Sequence, residues 1–144
     1  MLVSQILQSK SDMGVVTLPP GTTVAHLAEV LSSRRIGAVV ISKDGKRVAG
    51  IVSERDVVRE LGRRGPACLE DSVDSIMSAR VTTCARGDHA DDVLQRMTDG
   101  RFRHLPVIEE GLMVGLISIG DVVKARLSEL SMEKDALEGM IKGF

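Results

Sequence analysis

The chain has 144 residues, which is enough for one compact domain or two paired half-domains and too few for two large separate domains. Hydrophobic residues make up 43% and charged residues 27%, a composition that excludes a disordered tail. Lysine and arginine number 19 against 20 acidic residues, and the only aromatic residues are two phenylalanines, so neither an overall positive field nor stacking platforms exist to bind nucleic acid.

The first half of the chain predicts a short strand, a helix and a β-hairpin followed by a second helix. The strand ends at Thr17, and the first helix carries apolar residues on one face: Val24, Leu27, Ala28 and Leu31. Apolar runs at 39–41 and from Gly50 flank a tight turn at Asp44-Gly45, which is typical of a hairpin. The second helix begins after Ser53.

The second half repeats this pattern. The segment from Gly50 to Val58 reappears 65 positions later as Gly115 to Val123, and the earlier helix face reappears as Ala90, Val93, Leu94 and Met97. A second hairpin is predicted from the strand 105–108 and the turn Glu110-Gly111. The leader Val3–Leu7 resembles Val73–Met77, which is followed by a strand ending at Thr83. The boundary between copies lies at 61–72, where glycines and a proline interrupt the pattern.

Two copies are too few for a solenoid, so their apolar sheet faces must be buried against each other. We therefore predict a mixed α/β (α+β) fold: a tandem pair of βαββα units, 1–66 and 67–128, related by a pseudo-two-fold axis with a cleft between them. A last helix is predicted from Asp121 to about Lys142, and residues 129–144 form a C-terminal extension beyond the repeat. Its apolar stripe is predicted to pack on a second subunit or on the sister repeat: Val123, Leu127, Leu130, Leu137 and Ile141.

The repeated corner where a strand meets a helix carries the most informative polar residues. Ser53-Glu54-Arg55-Asp56 in the first copy corresponds to Ser118-Ile119-Gly120-Asp121 in the second. The open N–H groups and dipole of a helix start suit a phosphate, and an aspartate in the first turn can accept hydrogen bonds from two ribose hydroxyls. The alternative is a capping box, in which serine and aspartate satisfy only the helix end.

A basic run, Arg101-Phe102-Arg103-His104, precedes the strand of the second copy. Arginine can donate two hydrogen bonds to phosphate oxygens, and a nearby phosphate favours protonated histidine. The alternative is a solvated strand entry whose charges serve solubility. The first copy has Ile36-Gly37-Ala38 at this place, and Arg55 stands opposite Gly120, so the two half-sites are predicted to differ.

No arrangement typical of an enzyme or a metal site is visible. Cys68 and Cys84 lack zinc-ligand spacing, His26 and His89 read as surface residues, and no nucleophile–histidine set is implied by spacing. We also find no signal peptide and no long apolar run, which favours a reducing cytoplasm and no membrane span.

Together, Gly50 to Val58, Arg103-His104-Leu105-Pro106-Val107 and Gly115 to Val123 strongly resemble the paired cystathionine-β-synthase-type (CBS) domain family, in its short bacterial stand-alone form. The resemblance covers Leu2 to Leu127. It implies a regulatory module without catalytic activity that requires no cofactor, binds an adenine nucleotide, and regulates an unidentified protein partner. AMP is the first expectation, with ATP or NAD as alternatives, and a homodimer is expected.

The resemblance also implies residue roles. Asp56 and Asp121 would hold ribose, and the phosphate would be bound by Ser53, Arg55, Arg103, His104 and Ser118. The pocket wall near adenine would be formed by Thr17, Ala38, Val39, Thr83, Leu105 and Pro106. The competing hypothesis is an assembly module without a ligand, in which the serine–aspartate pairs are only helix caps.

Overall fold

The computed structural model describes residues 1–10 and 14–142, so residues 143–144 of the predicted extension lie outside the described residues. The first half contains α1 (Val3–Ser9), β1 (Thr17–Leu18), α2 (Val24–Arg34), β2 (Ala38–Ile41), β3 (Gly50–Ser53) and α3 (Glu54–Arg64). Two 3₁₀ helices follow, Gly65–Glu70 and Val73–Ser75. The second half contains α4 (Ala90–Gly100), β4 (His104–Glu109), β5 (Leu112–Ser118) and α5 (Ile119–Ile141). The predicted mixed fold with two repeated units is confirmed.

The two sheets share a register but differ in size. In the first unit, β1 is parallel to β2 and β2 is antiparallel to β3, with Ala38 opposite Ser53. In the second unit, β4 is antiparallel to β5, with His104 opposite Ser118. The short strands predicted to end at Thr17 and Thr83 are corrected. In the first copy, β1 begins at Thr17. In the second copy, Cys84 forms only an isolated parallel bridge with Val107, in which the Cys84 N–H donates to the Pro106 carbonyl at 3.0 Å.

The two hairpins differ in their turns. Glu110 and Gly111 both have positive φ, 51° and 79°, as a two-residue hairpin turn of the predicted kind requires. The prediction of an equally tight turn at Asp44-Gly45 is wrong, because β2 ends at Ile41 and β3 begins only at Gly50. The Asp44 carboxylate accepts hydrogen bonds from the backbone N–H groups of Lys46 and Arg47 and so stabilises a wider loop.

Each unit has its own hydrophobic core, and both helix faces predicted from the sequence are buried there. The first core contains Val24, Leu27, Leu31, Val39, Ile41 and Val52, among others. The second contains Ala90, Val93, Met97, Leu105, Val107 and Ile117, among others. The repeated apolar spacing therefore identifies the inner face of α2 and α4 correctly.

The leader segments are exchanged between the units. Val3 and Ile6 of α1, which precede the first unit in sequence, lie in the core of the second unit. Val73 and Ile76, which precede the second unit, lie in the core of the first. Matching backbone hydrogen bonds hold both leaders: the Val3 N–H donates to the Asp88 carbonyl at 2.9 Å, and the Val73 N–H donates to the Thr22 carbonyl at 2.8 Å. Each core is thus completed by the leader segment that precedes the other unit in sequence.

Helix α5 packs on α4 at its start and then extends past it. Val122 and Ala125 are buried against the second core. The predicted stripe is exposed, with Leu127 at 63% and Ile141 at 85%, so the prediction that it packs on the sister repeat is wrong. The buried face of α5, with Val122 and Ala125, lies beside that stripe and within the second unit. Within the described ranges, no helix has the length and apolar character needed to cross a bilayer.

Candidate functional site

Two clefts open at the junction of the units, one at each duplicated corner. The first, of about 610 Å³, is lined by Ser118 and Asp121 of the second unit and by 14–16 and 36–38 of the first; we call it the Asp121 cleft. The second, of about 500 Å³, is lined by 53–56 of the first unit and by 100–104 before and at β4; we call it the Asp56 cleft. Each cleft therefore pairs the corner of one unit with the strand entry of the other.

Both aspartates cap their own helices. The Ser53 N–H donates to Asp56 Oδ2 at 2.8 Å, and the Asp56 N–H donates to Ser53 Oγ at 3.4 Å. The Ser118 N–H donates to Asp121 Oδ2 at 2.9 Å, and the return bond to Ser118 Oγ is 3.1 Å. The capping box is therefore real in both copies. It leaves Oδ1 of each aspartate outside the box, so capping does not exclude contact with a ligand.

Each corner is also tied to a strand entry by a backbone hydrogen bond. The N–H of Glu54, the first residue of α3, donates to the Gly37 carbonyl at 3.0 Å. The N–H of Ile119, the first residue of α5, donates to the Arg103 carbonyl at 2.8 Å. These bonds satisfy one open N–H group of each helix start and fix the distance between corner and strand. They place Ala38 and His104, which occupy equivalent positions, between the two clefts.

His104 lines both clefts. Its ring lies so close to Gly37 that a Cβ atom there would come within 3.2 Å of His104 Cε1. Burial lowers the pKa of His104; the carboxylates of Asp121 and Glu54 oppose this shift, and Lys10 and Arg103 add to it. The imidazole is therefore uncharged at neutral pH when no anion is bound.

Lys10 is a residue of the Asp121 cleft that the sequence did not identify. Its Nζ lies 2.9 Å from Asp121 Oδ2 and donates to the Leu116 carbonyl at 2.8 Å. Burial raises the pKa of Asp121, but hydrogen bonds from the Ser118 N–H and from Lys10 outweigh it, so the pKa is lowered overall. Asp121 therefore stays ionised at neutral pH, as an acceptor of hydroxyl groups must.

Arginines surround the Asp56 cleft. Arg55, Arg59, Arg101 and Arg103 all line it. Arg59 was not predicted as a residue of this cleft; its Nη2 lies 2.8 Å from Asp56 Oδ1. Its position one helical turn after Asp56 is a sequence signal that could have indicated this ion pair. Arg101 caps the end of α4 in the left-handed conformation, with φ 57°. The predicted phosphate ligands Arg55 and Arg103 thus meet in one cleft, although they belong to different copies.

The structure does not bring all predicted wall residues to the clefts. Ala38 lines both, whereas Val39 and Leu105 lie in the cores. Side chains alternate along a strand, so the residues that follow Ala38 and His104 point away from the clefts. Pro106 is buried opposite Leu116, and the Thr83 carbonyl accepts a hydrogen bond from Arg96. Thr17 lies beside Gly45, which lines the Asp121 cleft.

Comparison with protein-family models gives two matches to the CBS domain, over residues 3–63 and 73–128. The chain belongs to the CBS-domain family. The two matched CBS domains begin at Val3 and Val73, which are the residues that head the two exchanged leaders. The family pattern is therefore continuous in sequence but crosses between the two cores in space.

Similar CBS-domain proteins occur in bacteria, archaea and plants. The CBS-domain containing protein ATU1752 from Agrobacterium tumefaciens is 40% identical, with a TM-score of 0.83 over 88% of this chain and 99% of that chain. The CBS domain protein PAE2072 from Pyrobaculum aerophilum, complexed with AMP, is 28% identical, with a TM-score of 0.77 over 92% and 99%. The mitochondrial CBS domain-containing protein CBSX3 from Arabidopsis thaliana is 32% identical over 98% of this chain and 72% of its own length.

Proposed function

We propose that this CBS-domain pair is a non-catalytic regulatory module that binds an adenine nucleotide and acts on a partner protein. AMP is the ligand expected first, and ATP and NAD are the alternatives. One observation carries the proposal: each duplicated aspartate faces a cleft large enough for a small ligand, and the other unit supplies the opposite wall. The two free, buried cysteines suit a reducing compartment, and we expect the module in the cytoplasm.

The chemistry of the corner supports a ribose contact. In the Asp121 cleft, the described hydrogen bonds and ion pairs of the carboxylate fall on Oδ2, so Oδ1 can accept a ribose hydroxyl. In the Asp56 cleft, a ribose hydroxyl would replace or share the contact of Asp56 Oδ1 with the exposed Arg59. Ser53 and Ser118 would support the sugar or its phosphate from the same corner.

The relative PAE2072 supports the class of ligand. It was obtained in complex with AMP and resembles this chain over almost its whole length. In this chain, AMP would bind in the Asp121 cleft with its base against aliphatic side chains such as Ile36 and Val16. Flat bases bind well against such apolar walls when polar groups fix their orientation.

Thermal unfolding with AMP, ATP and NAD tests the proposal. A ligand at about 100 times its dissociation constant adds about 2.7 kcal/mol to the free energy of unfolding. In a chain of this size we expect the melting temperature to rise by roughly 5–11 °C. Asp56→Asn and Asp121→Asn keep a capping oxygen but lose the charge, and each should remove the shift that comes from its own cleft.

Asp92→Asn is the matched control, because Asp92 lies in the first turn of α4, is exposed and lines neither cleft. Its ligand-induced shift should equal that of the unmodified protein. The proposal fails if no adenine nucleotide raises the melting temperature, or if both corner variants keep the full shift.

An exposed apolar surface supports a homodimer, and also gives the competing function its best argument. Helices α3 and α5 expose equivalent side chains, Val58 and Val123, and α5 continues with Leu127 and Leu130. Apolar patches of this kind usually mark an interface. We propose that a second copy of the chain covers it.

Sedimentation of Leu127→Glu/Leu130→Glu and of a chain truncated after Leu127, combined with thermal unfolding of both proteins with nucleotide, distinguishes the two functions. Both changes should convert the dimer to a monomer. A pure assembly module would lose its oligomeric state in this experiment and show no change in melting with any nucleotide. A regulatory module would still bind nucleotide as a monomer, provided that both clefts lie within one chain, as they do here.

A further inference from the structure

The two clefts differ in charge, although they occupy equivalent places. We infer that the Asp56 cleft binds an adenosyl ligand with two or more phosphates, and that the Asp121 cleft binds one with at most a single phosphate. This inference rests on the proposed function and concerns which ligand each cleft selects.

The Asp56 cleft has an excess of positive charge. Four arginines line it against the two carboxylates of Glu54 and Asp56. Arg59 is paired with Asp56, whereas no ion pair among residues 1–10 and 14–142 involves Arg55, Arg101 or Arg103. All three of these guanidinium groups belong to exposed residues, so they keep their hydration until an anion arrives. Arginine matches phosphate oxygens with two parallel hydrogen bonds, which makes this cluster suited to several phosphates.

None of the described residues that line the Asp121 cleft is an arginine, and Arg35, the counterpart of Arg101, is not among them. Gly37 replaces Arg103, and Gly120 replaces Arg55 at the equivalent corner. Among the residues that the structure describes, the charged lining residues are Lys10 and Asp121, which are already paired with each other, and the neutral imidazole of His104 adds no charge. Its wall is mostly aliphatic and includes Leu7, Val15, Val16, Ile36, Met113 and Leu116.

These surroundings favour different ligands for a physical reason. A polyphosphate moved into the Asp121 cleft would lose water without gaining enough opposite charge, which is unfavourable. The same polyphosphate in the Asp56 cleft gains several charge-assisted hydrogen bonds. An adenosyl ligand with little charge avoids this desolvation cost in the Asp121 cleft and can bury its base against the aliphatic wall.

Titration calorimetry with adenosine, AMP and ATP tests the inference on the unmodified protein and on Arg55→Gln/Arg103→Gln. Both arginines are exposed, so the double variant should fold. We expect its affinity for ATP to fall at least about tenfold, because charge-assisted hydrogen bonds to phosphate are lost. Its affinity for adenosine should change by less than about twofold. Asp121→Asn should do the reverse, weakening adenosine while leaving the tight ATP site intact.

Arg86→Gln/Lys142→Gln is the matched control, because it removes the same net charge from residues that line neither cleft. It should leave the ATP affinity unchanged. With ATP saturating the Asp56 cleft, adenosine should still bind at one further site per chain.

Several results would overturn the inference. Equal losses of ATP affinity in the arginine variant and the control would show a general charge effect. An unchanged ATP affinity in the arginine variant would remove these arginines from the site while the proposed function stands. Inorganic tripolyphosphate that binds as tightly as ATP would show recognition of the anion alone. Failure of every adenosyl compound to bind the unmodified protein would instead reject the proposed function itself.

Discussion

The contact of Leu7 with Gly115 provides a direct test of the leader exchange. A Cβ atom at Gly115 would come within 2.7 Å of Leu7 Cδ2, which is closer than real side chains approach. Gly115→Ala should therefore push the side chain of Leu7, and with it α1, away from β5. The equivalent contact in the first unit is that of Gly50 with Met77, where the corresponding distance to Sδ is 2.5 Å.

The cost follows from the geometry. Overpacking of a core costs about 1–3 kcal/mol, and we expect the lower half of that range here because the clash is with the end of a side chain. A loss of about 1–2 kcal/mol lowers the melting temperature of a chain of this size by roughly 2–8 °C. Leu7→Ala removes the clashing methyl groups, so the double variant Leu7→Ala/Gly115→Ala should lose at least about 0.5 kcal/mol less than the sum of the single variants.

Thermal and urea unfolding of the four proteins measure this coupling. Gly62→Ala is the control, because Gly62 lies in α3 with no atom within 4 Å of the added methyl, and alanine there should stabilise the helix by roughly 0.5–1 kcal/mol. Additive losses in the double variant, or a Gly115→Ala protein as stable as the unmodified one, would refute the packing of α1 on the second unit.

Three further predictions concern titratable groups. His104 has a lowered pKa without ligand, and a bound phosphate should raise it, so nucleotide affinity should increase as pH falls towards 6 and level off below the free-state pKa. His104→Gln should flatten this profile, and calorimetry in two buffers should detect the proton taken up; a flat profile in the unmodified protein would contradict the contact. Lys10→Met should raise the pKa of Asp121, which carbon-detected NMR titration can follow. Because folding lowers the pKa of Asp121, the stability that its ionised form provides is present above its unfolded pKa near 3.8 and is lost as pH falls below that value. An unchanged Asp121 pKa in that variant would show that Lys10 does not reach the carboxylate. Burial, with a contribution from Asp88, raises the pKa of Cys84 to about 12, so a thiol reagent at pH 8 should label it only on unfolding; rapid labelling of the native protein would show that the site is open.

Local patterns predicted most of the fold. The spacing of Leu27 and Val93 with their neighbours defines the buried faces of α2 and α4, because helical periodicity is visible within a dozen residues. The corner from Ser53 to Asp56 and its copy at Ser118 were predicted for the same reason, since strand, cap and helix are contiguous there. The sequence could also show that the two half-sites differ, because Gly37 and Arg103 stand at equivalent positions.

Contacts between distant segments were not predictable in this way. Lys10 reaches the carbonyl of Leu116, 106 residues away, only because α1 packs on the opposite unit. The sequence also could not show which side chains of β2 point to the clefts and which to the core. All four residues from Ala38 to Ile41 are buried, and no polar residue marks the outer side of the strand. The family resemblance assigned both Ala38 and Val39 to the pocket wall, and only Ala38 lines the clefts.

The crossing of the leaders makes the two halves a single cooperative unit. A chain divided between residues 66 and 67 would give a first fragment without Val73 and Ile76 and a second without α1, so each fragment alone would leave an apolar gap. Mixed together, the fragments hold all the missing parts and can complement one another. A single unit of this kind could complete its core only with the leader of a second, identical molecule. The covalent tandem supplies within one chain the contacts that two such units would otherwise make as a segment-exchanged dimer.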